Sequence, residues 1–216
     1  MKSRSFEVAH LGELDRFEEE FATIPVRIPL GIQAFGVNAY AAREEGGRII
    51  EEHDELGAGA GHHEELYVVL SGRAVFTLDG EEVEAPAGTF VFVRDPATRR
   101  TAHAGEADTT VLVVGGTAGQ AFEPSPWESW LEALPHYRAQ DYSRAVEVMR
   151  RALEQHPDNP NVLYNLACCE ALAGATGEAL DHLRRAAELD PRVPGWAQSD
   201  SDLDAIRGEP GFPAAD

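Results

Sequence analysis

The sequence predicts a two-domain α+β protein, with an antiparallel β-sandwich or barrel in the first half and a helical repeat array in the second. Three observations predict it. Residues 23–116 break into short runs rich in branched and aromatic residues, punctuated by turn-forming Gly, Asp and Pro. Beyond about residue 126 the alternation disappears, and Ala, Leu, Glu and Arg dominate in helical phase. An offset of 34 residues then relates Ala145 to Ala179, Met149 to Leu183, Ala152 to Ala186 and Pro157 to Pro191.

At 216 residues the chain has room for two modest domains, each able to bury a core. The net charge of −20 is shared, with −11 in residues 1–120 and −9 in residues 121–216. Such an acidic chain repels phosphate backbones, which argues against nucleic acid and anionic membrane as partners. The opening MKSRSFEVAH lacks an apolar signal core, and no apolar run approaches membrane-spanning length. A cytoplasmic location is therefore expected. Cys168 and Cys169, the only cysteines, are adjacent in a helical stretch. Neighbouring helical positions point in different directions, so a disulfide between them would be strained. Two buried or half-buried thiols in a reducing compartment are expected, with a vicinal-thiol metal or redox site as the alternative.

Taken in order, LGELDRFEEEF (11–21) carries Leu11, Leu14, Phe17 and Phe21 at helical spacing and predicts a short lid or packing helix. The expected strands lie in VRIPLGIQAFGVNAYAA, GRII, ELYVVLSG, RAVFTLDG, EEVEAP, TFVFVRD, RRTAHAG and TTVLVVGG. Asp79-Gly80 suits a two-residue hairpin turn. GGTAGQAFEPSPW marks the domain boundary, dividing domain 1–120 from domain 126–216. Two repeat units follow, 126–159 and 160–193, and QSDSDLDAIRGEPGF predicts a capping helix started by Ser or Asp. Leu203 and Ile206 would cover the exposed end of the array, because each unit buries its apolar face only against neighbours.

The 34-residue period, with small residues where two helices cross and a proline closing the second, resembles the tetratricopeptide repeat family. That resemblance implies protein or peptide recognition, with the first helix of each unit lining a groove. Trp130, Tyr164 and Asn165 are the candidate partner contacts, a core role for Tyr164 being equally open. Trp127 or Trp130 would anchor the array to the β half. The absence of lysine after residue 2 argues against the two-lysine carboxylate clamp of some relatives, so a neutral or basic partner segment is expected, if any.

The β half resembles the cupin family, an antiparallel barrel or jelly roll. Gly80, Pro86 and Gly88 match its second motif, Glu65 and Gly72 match the end of its first, and His53 falls where the first motif histidine belongs. The resemblance implies a site of three histidines and one glutamate holding one divalent metal, iron, manganese, nickel or zinc. Here Glu55 stands at the second histidine's place, Val91 at the last histidine's, Asp95 at the asparagine's, and an LGAGAG insertion precedes Glu65.

Residues two apart on a strand share a face, so His63, Glu65, Tyr67 and Val69 would point inward together. His53, His63, Glu65 and His103 form one candidate metal set, chemically acceptable for zinc, iron or manganese. The competing reading is a metal-free pocket, and the aliphatic Val91 tips the balance toward it. Tyr67, Val69 and Val91 would then supply apolar contact to a small ligand. Arg99 and Arg100, with forks suited to carboxylate or phosphate, would hold an anion at the mouth or pair with surface glutamates. The function expected is a small-ligand-binding cupin coupled to a helical interaction module. The alternatives are a metal-dependent cupin enzyme of the oxygenase or isomerase class, and a structural module, since cupins often pair as homodimers through their sheets.

Overall fold

The computed structural model describes residues 7–18 and 21–214, in two units that meet in sequence between residues 123 and 124. Among the described residues of the first unit, ten strands form two antiparallel sheets. They are β1 (Phe17–Glu18), β2 (Ala22–Pro25), β3 (Gly36–Ala42), β4 (Arg48–His53), β5 (Glu64–Ser71), β6 (Arg73–Leu78), β7 (Glu81–Pro86), β8 (Phe90–Val93), β9 (Arg100–Ala104) and β10 (Thr109–Gly116). The six-stranded sheet has the order β1-β2-β3-β10-β5-β8 and the four-stranded sheet β4-β9-β6-β7. The expected cupin-like jelly roll is present, but its two sheets do not close into a barrel among the described residues.

Period-2 burial explains how the sheets face one another. Tyr67 and Val69 on β5, Val91 and Val93 on β8, and Val111 and Val113 on β10 meet Phe76, Ala74, Ala102 and Ala104 of the opposite sheet in one core cluster. Asp79 and Gly80 both take positive φ (50° and 88°), which matches the tight turn predicted between β6 and β7. Gly72 is required by space as well as by its φ of +66°, because a Cβ there would lie 2.8 Å from the Thr109 Cα.

The predicted helix over 11–21 is not formed. Leu11–Glu13 make one 3-10 turn and Phe17 enters β1, so the apparent helical spacing yields to pairing of Phe17 with Thr23. Glu19 and Glu20 lie outside the described residues. The stretch 26–35, read as strand, instead holds α1 (Arg27–Leu30).

The helical unit contains α2 (Glu128–Arg138), α3 (Tyr142–Gln155), α4 (Pro160–Leu172), α5 (Thr176–Leu189) and α6 (Val193–Ser199). Asp141 caps α3 by accepting from the Arg144 N–H, and Asn159 caps α4 ahead of Pro160. The 34-residue offset is a packing repeat: Ala145, Ala179, Met149 and Leu183 are all fully buried. The cap differs in detail from expectation. Its helix is α6, which starts earlier, while Ser201–Leu203 form a 3-10 turn that brings Leu203 and Ile206 to full burial.

Polar side chains fix this cap to both repeats. Asp200 accepts from the Tyr164 hydroxyl at 2.8 Å and Asp202 from the Tyr137 hydroxyl at 2.9 Å. Both cysteines are buried free thiols. Burial, helped by the nearby Asp202 and Glu170 charges, pushes Cys169 up to about 12, and burial beside Asp200 and Asp202 raises Cys168 further. Cys168, Asp200 and Asp202 cluster closely, yet the carboxylates are already committed to tyrosines and the thiol is held protonated. Neither thiol should react with a disulfide reagent in the native protein at pH 8, whereas denatured protein should titrate both. Rapid native labelling would contradict the burial of these two thiols on α4.

Candidate functional site

Two register shifts interrupt the β4–β9 ladder, one on each side of Ile50. Such bulges re-aim a strand's last side chains, and here they set His53 opposite Arg100. Beyond β4 the chain turns back through the glycine-rich insertion. Glu55 Oε2 gathers that loop by accepting from the Gly61 N–H at 3.0 Å and the His63 N–H at 3.3 Å, while the Glu55 N–H donates to the Pro96 carbonyl at 2.8 Å. Glu65 enters from β5 of the other sheet. The result is a group of His53, Glu55 and Glu65 whose ligand-capable atoms lie within 4.8 Å of one another.

His53 Nδ1 lies 2.8 Å from the Glu51 carbonyl, leaving Nε2 3.7 Å from Glu55 and 3.9 Å from Glu65. Arg100, with a side chain 1% exposed, places Nη1 2.8 Å from Glu65 Oε2. Tyr67 donates its hydroxyl to the same carboxylate oxygen. Burial alone would raise the Glu65 pKa, but the His53 and Tyr67 hydrogen bonds and the His53 and Arg100 charges outweigh it, and the pKa falls. Burial opposes a charge on His53, yet the bonds to Glu65 and Glu51 and the charges of Glu65 and Glu55 raise its pKa overall. Burial, then the Glu65 charge, lifts Tyr67 well above its ordinary range, so it stays a donor.

The predicted residues divide clearly. His53 and Glu65 come together. His63 does not join them: its ring is buried against Phe122, centroids 5.3 Å apart. His103 also stays apart, because Arg100, Ala102 and Ala104 take the buried face of β9 while Thr101 and His103 take the other. Glu55, at the motif's second histidine position, occupies the place these two were expected to fill. Alignment alone marked that position; proximity identifies it as a member of the group. Tyr67, Val69 and Val91 lie in the core between the sheets. Arg99 is exposed and pairs with Glu52 at 2.6 Å. Arg100 turns inward to Glu65 instead of toward an anion at the mouth. In the helical unit, Trp130 packs edge-on against Tyr137, Tyr164 against Trp196, and Asn165 is half-buried on α4.

This donor set does not fit a resident divalent metal well. Val91 provides no ligand, Glu55 Oε2 is spent on two backbone N–H groups, and Glu65 already has a cation. A dication bound through Glu65 would share that carboxylate with the Arg100 guanidinium, whose like charge opposes it. Hydrogen bonding is what the group offers best: carboxylate and imidazole atoms reached from solvent along His53, whose side chain is 34% exposed.

No helix among the described residues is long and apolar enough to cross a membrane. A search of curated proteins gives no match to this chain. Among solved structures, a cupin protein from Bacteroides fragilis aligns at 19% identity over 56% of this chain and 92% of its own, with a TM-score of 0.42. An RmlC-like cupin from Shewanella frigidimarina aligns at 13% identity over 54% and 95%, TM-score 0.41. A predicted oxalate decarboxylase from Thermotoga maritima aligns at 18% identity over 50% and 97%, TM-score 0.40. The profile of the cupin domain family matches residues 52–115, and that of the tetratricopeptide repeat family matches residues 131–194. With the two-sheet fold and the paired helices already described, these matches support a cupin domain over residues 52–115 and a tetratricopeptide-repeat-like region over residues 131–194.

Proposed function

We propose that the cupin domain binds a small organic ligand at the His53–Glu55–Glu65 group and that the helical repeats couple this binding to a protein or peptide partner. The observation that carries the reading is the convergence of three buried or half-buried polar side chains at the edge of an apolar core, the mixture typical of small-molecule sites. Its open atoms are chiefly acceptors, so the ligand supplies donors, as a polyol or an amine does. Arg100 is occupied and takes no part in anion capture.

Thermal-shift screening of polyols and amines should find a ligand whose effect falls at least tenfold in affinity in His53→Ala, a change at the most exposed member of the group. Equal binding by that variant would place the ligand elsewhere.

The alternative is a metal-dependent reaction of the oxygenase or isomerase class, with iron, manganese, nickel or zinc held by His53, Glu55 and Glu65. Convergence of an imidazole and two carboxylates favours it; the Arg100–Glu65 pair stands against it. At the repeats, Trp130 and Tyr164 already serve internal packing, which leaves half-buried Asn165 as the candidate contact for a partner segment. Homodimer formation through the cupin is supported by the outer face of the six-stranded sheet. There Phe90 and Phe92 on edge strand β8 and Leu70 on neighbouring β5 are 68%, 47% and 46% exposed. Light scattering over a concentration series should show a dimer that Phe90→Asp converts to monomer. A monomeric wild type would exclude this pairing.

A further inference from the structure

We infer that Arg100 is a built-in cation that takes the place of a divalent metal at the His53–Glu55–Glu65 group. Its side chain is almost wholly buried between the sheets, and each of its nitrogens has a partner. Nε donates to the Thr98 carbonyl at 3.0 Å, Nη2 to the Asp95 and Pro96 carbonyls at 3.3 and 3.0 Å, and Nη1 to Glu65 at 2.8 Å. The three carbonyls belong to the loop between β8 and β9, so the guanidinium cannot swing away without breaking that loop. It provides what an ion would provide at this position: a positive charge on Glu65 and a fixed link between the two sheets.

Around it the donor set is reduced to His53 and the two carboxylates of Glu55 and Glu65, so Arg100 is what keeps an ion from this group. Val91, where the motif resemblance would put a histidine, is a core aliphatic with no donor, and one oxygen of the Glu55 carboxylate is turned to holding the LGAGAG loop. The Tyr67 hydroxyl adds a further donor to Glu65, so this carboxylate is satisfied by protein groups alone. A guanidinium keeps its proton at neutral pH, so the positive charge beside Glu65 does not depend on metal supply. A consequence follows for ligand recognition: it should be insensitive to chelators. Metal content and ligand binding are separate readouts, so failure of one leaves the other standing.

The test uses the untagged full chain. Wild-type protein purified without added metal or chelator should contain well below one iron, manganese, nickel or zinc ion per chain. Its melting temperature should not change with MnCl2, ZnCl2 or EDTA, because an ion that bound only the folded state would raise it. Arg100→Met frees Glu65 and should acquire a dose-dependent melting shift with MnCl2 or ZnCl2 that Arg100→Met/His53→Ala lacks. Stoichiometric metal in the wild type, or an EDTA-sensitive melt abolished by His53→Ala, would overturn the inference. So would a folded Arg100→Met that gains no metal affinity. If Arg100→Met does not fold, the wild-type titration decides alone: an inert melt supports the built-in cation and a metal-dependent one refutes it.

Discussion

Deletion of residues 198–216 is expected to unfold the helical unit while the β unit remains folded. The segment contains Leu203 and Ile206, both fully buried in the cluster formed with Leu163, Leu183 and Val193. Truncating one such aliphatic side chain to alanine costs about 2–5 kcal/mol. Removing both therefore approaches the roughly 5–15 kcal/mol that a whole domain has to lose. The deletion also removes Asp200 and Asp202, leaving the hydroxyls of Tyr164 on α4 and Tyr137 on α2 without their acceptors. Loss of the far-ultraviolet helical signal, with a retained sheet transition, is the result to look for. Leu203→Ala alone should lower the stability of the unit by about 3 kcal/mol. A truncated chain that melts like the full one would show that two repeats need no cap.

Arg100→Ala should be the most damaging single change in the β unit. It leaves Glu65 in the core with Tyr67 and His53 but without its buried cation, and breaking a buried pair from one side costs about 3–5 kcal/mol. It also strands the Thr98, Asp95 and Pro96 carbonyls. Glu65→Gln in the same chain removes the uncompensated charge, so the double variant should be more stable than the sum of the two single effects predicts. Urea denaturation of the four proteins measures that coupling. Arg99→Ala is the internal control. Its neighbour in sequence is the buried arginine, but Arg99 itself pairs with an equally exposed Glu52, and its loss should not move the midpoint. Equal effects of the two substitutions would mean that Arg100 stabilises nothing through Glu65.

Much of the architecture was legible because it depends on local periodicity. Alternation around Tyr67 and Val69 put those residues on the inner face of β5, and the 34-residue offset placed Ala145, Ala179, Met149 and Leu183 at equivalent buried positions. Local pattern failed at 11–21, where four apolar residues at helical spacing lost to a cross-strand pairing they could not encode by themselves. It failed again at the cap, where hydrophobic spacing identified Leu203 and Ile206 as buried but not the 3-10 turn that carries them.

The candidate site was less legible, because it joins residues from both sheets and from two loops. By itself the sequence determined that His53 and Glu65 occupy motif positions, that Val91 cannot be a ligand, and that a glycine-rich insertion precedes Glu65. The choice among the remaining polar residues belonged to the tertiary structure. Strand parity left the direction of His103 open until its pairing with Arg48 and Val75 on the four-stranded sheet set it away from the core. His63 had the right parity but lies against Phe122. Glu55 joined the group only through the loop it closes, and Arg100, one residue from an exposed arginine, turned inward because β9 alternates. Composition and period act through neighbours in sequence, whereas a buried charge is placed by whichever distant groups can satisfy it. Only the packed sheets bring those groups together.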